Sequence, residues 1–164
     1  MENYIVINGK KAELTEEQLK ALGIEVKKES PFRRVNKRDN YYCISYKGKI
    51  TASSEMKDPS DDTAYNIANY CTDRELLQQQ AYREILNRLL WRYSMEHDGD
   101  KINWVDGSQK YYIFRNKQSG AYGTSYDVVC TVISTVHFYT KEIAQNAIEE
   151  IVKPFMAEHP DFKW

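Results

Sequence analysis

The sequence predicts an α+β fold in which antiparallel hairpins pack on two or three helices, in the order ββα-ββα-ββα with a long central helix. Three observations carry this expectation. Short strand-like runs are divided by the turn dipeptides Asn8-Gly9 and Lys47-Gly48. Thr15, Thr72 and Thr140 each precede a stretch of helical spacing, where a threonine hydroxyl can accept from a backbone N–H of the first turn. Apolar residues between Leu77 and Tyr93 recur every three or four positions, the period of one buried helix face.

Taken in order, residues 4–7 and 10–14 flank Asn8-Gly9, whose residues accept the positive φ angles of a type I′ turn. Thr15 then caps a helix, Gln18 completes the capping box, and Gly23 suits the left-handed position after the last turn. These elements define a small N-terminal ββα module over 1–26. Residues 27–40 have neither helical nor strand period and hold Lys27, Lys28, Arg33, Arg34, Lys37 and Arg38, which reads as a basic linker. The main α+β domain, 41–164, opens with a hairpin of 41–46 and 49–53 around Lys47-Gly48. Residues 55–62, with Pro59 and four acids, read as a loop.

Thr72 is the expected N-cap of the longest helix, with Glu75 as its capping-box partner. That helix should run to about His97 and bury Leu77, Ala81, Ile85, Leu86, Leu89, Leu90 and Tyr93. The last two strands are expected at 111–115 and 127–138, joined by a flexible Gly-containing stretch at 119–123. Thr140 should cap a closing helix that ends at Pro154 or soon after.

Lys+Arg total 23 against 24 Asp+Glu, a net charge of −1, which excludes a globally basic nucleic-acid binder and a strongly acidic nucleic-acid mimic. Charge is nevertheless uneven. Residues 1–50 carry 11 basic and 7 acidic side chains, and residues 51–100 carry 5 and 10. Cys43, Cys71 and Cys130 are odd in number and form no CxxC pair, so reduced thiols in a cytoplasm are expected. The N-terminus shows no leader-like pattern and no stretch approaches the ~18 apolar residues of a membrane span.

Catalytic motifs are missing: neither a GxSxG elbow, nor a phosphate-binding GxxxxGK loop, nor a cysteine-nucleophile signature occurs. Glu96-His97-Asp98 is the best acid–base grouping, but a histidine at a helix C-terminus is also a favourable dipole partner. His97, His137 and His159 lack metal-ligand spacing, and Asp58, Asp61 and Asp62 lack the regular order of a calcium loop. No catalytic residue, metal or cofactor is therefore assigned. The positive signal is aromatic: thirteen Tyr and three Trp, side chains that supply rigid contact area with a polar tip. Tyr41-Tyr42 and Tyr111-Tyr112 are strand pairs whose members face opposite ways. Outward tyrosines beside Arg33, Arg34, Lys37 and Arg38 would make a stacking platform with phosphate-binding cations, and these eight residues are the expected binding site.

Three blocks carry a resemblance. They are the opening Tyr4-Ile-Val-Ile-Asn-Gly through Gly23, the middle Asp62-Thr-Ala-Tyr-Asn-Ile-Ala-Asn-Tyr-Cys-Thr-Asp-Arg-Glu, and the closing Thr-Val-His-Phe-Tyr-Thr-Lys-Glu-Ile-Ala of residues 135–144. Together they resemble small accessory proteins of phages and prophages from Gram-positive bacteria, with Ala64, Ala68 and Cys71 departing from the pattern. The resemblance implies a counter-defence protein of anti-CRISPR or immune-signal-sponge type, acting without catalysis in the host bacterial cytoplasm. Its partner would be a host defence protein or a nucleotide signal, and a sponge pocket is commonly completed across a homo-oligomer. The alternative is a nucleic-acid-binding accessory factor.

Overall fold

The computed structural model describes residues 4–7, 10–23, 29–129 and 135–163. The Asn8-Gly9 turn, Lys27, Lys28, Cys130 and the middle of the 127–138 strand lie outside the described residues. Among the described residues, six strands form three separate two-stranded antiparallel sheets: β1 (Tyr4–Ile7) with β2 (Lys10–Glu13), β3 (Asn40–Ile44) with β4 (Ile50–Ser54), and β5 (Lys110–Arg115) with β6 (Tyr122–Asp127). The helices are α1 (Glu16–Ala21), α2 (Pro59–Asn66), α3 (Arg74–Glu96), α4 (Lys141–Ala147) and α5 (Lys153–Glu158). The fold is mixed α+β.

The expected ββα-ββα-ββα order about one long central helix is not the architecture that forms. Two helices follow the second hairpin, and after the third hairpin α4 leads through a π-helical turn, Ile148–Val152, into α5. Helix α3 packs against β3, β4, α4 and the π turn, whereas β1, β2 and α1 make no comparable contact with it among the described residues. Among the described residues, helix α3 therefore does not act as a common axis on which all three hairpins pack.

Local chemistry explains each departure. Residues 55–62 are not simply a loop, because Asp58 accepts from the Ser60 and Asp61 N–H groups while the Asp61 side chain answers at the Asp58 N–H. Pro59 supplies a preset φ in the first turn, so a helix begins there. The N-cap of α3 is Asp73, which accepts from the Leu76 N–H at 3.0 Å. Thr72 instead donates its hydroxyl to the Pro31 carbonyl at 3.1 Å. Asp73→Ala is accordingly expected to cost about 1 kcal/mol and to speed amide exchange in the first turn of α3. Thr72→Ala should leave that turn's exchange unchanged; equal acceleration in both variants would restore the cap to Thr72.

The second strand of the third hairpin starts well before residue 127. Asn116 accepts from the Gln118 and Ser119 N–H groups and Gly120 takes φ +72°, which closes a tight turn and sends Tyr122–Asp127 back along β5. Gly123 is paired with Phe114 across this sheet, and a Cβ there would lie 2.6 Å from the Phe114 ring. That glycine is a socket for an aromatic ring and not a point of flexibility. Phe138 does extend the sheet, but as a single bridge to Tyr111. The closing helix passes Pro154 because the wide π turn ends directly ahead of it, where a missing N–H and a bulky ring are tolerated.

Other expectations hold at the level of single elements. Thr15 and Gln18 make the reciprocal capping box of α1, Gly23 has φ +70°, and Thr140 caps α4 through the Ile143 N–H. The main core joins Leu86, Leu90 and Tyr93 of α3 to Phe138, Ala144, Ala147, Val152, Phe155 and Phe162. A second cluster of Val35, Tyr41 and Tyr70 sits under the β3–β4 hairpin.

Candidate functional site

The eight residues expected to bind do not converge on one surface. Arg33 is exposed and paired with Glu29 at 2.6 Å. Lys37 and Arg38 are exposed, and Arg38 holds φ +78° while its N–H donates to the Glu55 carbonyl at 2.7 Å. Tyr41 is buried, stacked on Tyr70 at 3.9 Å between ring centroids, and donates its hydroxyl to Asp61 at 2.8 Å. Tyr42 is half-buried and bridged through its backbone to Cys71. Tyr111 and Tyr112 are half-buried on a different sheet, the former packed against the main core and the latter edge-on to His137. Two of the three sheets thus divide the tyrosine pairs, which sequence adjacency could not reveal.

Arg34 is committed inside the fold. Its Nε and Nη2 each donate to Glu55 at 3.0 Å, and Nη1 pairs with Asp62. Glu55 is wholly buried and also accepts from the Tyr70 hydroxyl at 2.9 Å and the Lys57 N–H at 2.8 Å. The Arg34 guanidinium, followed by those two donors, outweighs burial and holds the Glu55 carboxyl below the usual carboxylate range. Burial pushes the Tyr70 hydroxyl up to about 12. Four donors on one carboxylate leave it no acceptor capacity for chemistry, so this network is a bolt between residues 34–35 and the α2 region.

A different surface stands open. Phe32, Tyr46, Ile67 and Leu76 are 46%, 90%, 66% and 41% exposed, and all four line a single groove of about 580 Å³. They come from four segments: the stretch before β3, the β3–β4 turn, the end of α2 and the first turn of α3. Gly48, at φ +74°, allows the Tyr46-bearing turn to lie against Ile85, since a Cβ there would come within 2.9 Å of that side chain. The floor is closed by Asn69, whose side-chain amide accepts from the Ile44 N–H at 2.6 Å and donates to the Ile44 carbonyl at 2.8 Å. Arg83 and Arg88 stand on the helical wall, where Arg88 is paired with Glu84 at 2.8 Å. Arg83 meets no carboxylate among the described residues. Leu76 is the one residue that could have signalled this surface, as an apolar side chain beside rather than on the Leu77–Ala81 stripe.

The acid–base candidates are engaged otherwise. His97 caps α3, with Nδ1 2.8 Å from the Tyr93 carbonyl and its ring stacked on Tyr93. His137 is buried with Nε2 3.1 Å from Asp127, and Ser94 lies nearby, yet the Ser94 hydroxyl donates to the His137 backbone carbonyl at 2.6 Å. A nucleophilic relay needs that hydroxyl at the ring nitrogen. Among the described residues no group of three His, Cys, Asp or Glu is arranged to hold a metal ion, and no helix is long and apolar enough to cross a membrane. In comparisons with protein-family models, with curated proteins and with solved structures, nothing matches this chain.

Proposed function

We propose that this chain is a non-enzymatic binding protein that works by stoichiometric contact, with the groove of Phe32, Tyr46, Ile67 and Leu76 as its recognition surface. The observation that carries this reading is the gathering of four exposed large apolar side chains from four segments around one groove. Exposure of that kind is unfavourable in a chain that stays alone, and aromatic and aliphatic anchors in a concave patch are what partner surfaces use. The resemblance noted in the sequence supports a phage-encoded antagonist of a bacterial antiviral defence, acting in the host cytoplasm by binding a defence effector. Sequestration of a nucleotide immune signal is the second reading, favoured by Tyr46 and Phe32 sharing the groove with Arg83 and Arg88. Direct nucleic-acid binding would draw on Lys37 and Arg38.

The test is a double substitution, Ile67→Ser with Leu76→Ser. Both side chains are exposed, so the melting temperature should stay close to the parent's. Phage survival on a defended host should fall, and affinity for the effector should weaken about tenfold or more, as for the loss of two interface anchors. A double variant that protects phage as well as the parent would remove the groove from the mechanism. Nucleotide released on denaturing protein from infected cells would move the assignment to the signal-sequestering reading.

A further inference from the structure

The groove also constrains the chemistry of what enters it, an inference that rests on the groove being the recognition surface. Ile44, the last residue of β3, lines one side, and the strand's outward edge is already satisfied there and just before it: Asn69 imitates a peptide group for Ile44, and Tyr42 exchanges both backbone hydrogen bonds with Cys71 at 2.7 and 3.0 Å. An extended peptide therefore finds no free ladder to join at these positions, which removes the main-chain hydrogen bonds that give strand addition its affinity. An occupant must engage through side chains, as an amphipathic helix does with anchors spaced three and four residues apart.

Charge selects further. Of the three charged residues lining the groove, Glu84 and Arg88 neutralise each other, and Gln80 donates to the same Glu84 carboxylate at 3.2 Å. Arg83 is left exposed and unmatched on the α3 wall, two helical turns from Leu76. A single unpaired cation sharing a groove with exposed apolar side chains suits one carboxylate on an apolar segment better than the several charges of a polyphosphate. We infer that the groove takes an acidic amphipathic helix of a partner protein, seating its apolar residues among Phe32, Ile67 and Leu76 and a Glu or Asp on Arg83.

Selection from a displayed library of random peptides, each long enough for several helical turns, tests this with the full chain as bait. Counter-selection uses the Ile67→Ser/Leu76→Ser variant, so that only groove-dependent binders survive. The expected survivors carry Leu, Ile or Phe at helical spacing with Asp or Glu on one flank. A synthetic survivor should bind Arg83→Glu about tenfold or more weakly and lose affinity as salt is raised. Selection on Arg83→Glu should in turn enrich Lys or Arg at the flanking position. Since Arg83 has no carboxylate partner among the described residues, its variant should melt with the parent. Groove-dependent survivors without acidic enrichment, or with the alternate spacing of strands, overturn the inference and leave the docking reading standing. If no survivor depends on the groove, the docking reading itself fails.

Discussion

Phe138→Ala is expected to lower stability by about 3–5 kcal/mol, the range for emptying an aromatic side chain from a core. Phe138 is fully buried and belongs to the cluster that joins α3 to α4, the π turn and α5. Its backbone N–H and carbonyl pair with Tyr111 at 2.7 and 3.0 Å, and alanine keeps both bonds, so the loss isolates the ring. The surrounding elements are tied by helix packing and cannot collapse fully into the space, which places the cost toward the upper part of the range. Phe114→Ala offers the contrast, since that ring is 41% exposed where it lies over Gly123. Urea midpoints decide the matter. Equal shifts for the two variants would mean that residue 138 does not centre the core.

The second large effect concerns the buried carboxylate. Glu55→Gln is expected to destabilise the protein at neutral pH by an amount toward the low end of about 3–5 kcal/mol, the usual cost of breaking a buried ion pair. All four hydrogen bonds to the Glu55 carboxylate come from donors pointing at it, and a glutamine NH₂ would set a fifth donor against two of them. Retention of Asp62 by Arg34 limits the loss.

The same network predicts the acid response. Because the folded carboxyl titrates below its unfolded value, its contribution is complete above the ordinary glutamate range near pH ~4.3. It disappears as pH falls through the lower folded value. Asp106 behaves alike, its carboxyl lowered to about 2, first by Lys110 and then by Ser108. Stability should therefore decline from about pH 4.5 downward, and the gap between parent and Glu55→Gln should narrow between about pH 7 and about pH 3. A gap of the same size at both values would show that Glu55 is not a paired carboxylate.

Legibility of the sequence tracked the range of the interaction. The Thr15–Gln18 box, the left-handed Gly23, the Thr140 cap and the Leu77–Tyr93 stripe each depend on residues within a turn or two of one another, and each is present. Some elements that depart from the expected layout are locally encoded too. Asp58-Pro59-Ser60-Asp61 holds a complete helix start, and Asn116 to Gly120 holds a complete turn.

What composition and spacing determined by themselves is a mixed α+β chain of hairpins and capped helices without a catalytic motif. Only the tertiary structure decided the remainder. Arg34 looks like one cation in a basic run until Glu55 and Asp62, from the far side of the β3–β4 hairpin, close on it. Tyr41 looks like half of an outward pair until Tyr70 stacks on it. Phe32, Tyr46, Ile67 and Leu76 are unrelated in sequence and meet only around the groove. Helical and strand periods report which face of one element is covered, because they arise from backbone geometry within that element. They carry no information about which distant segments share a surface, so whether a charge is spent or an apolar side chain left open is settled only when the segments pack.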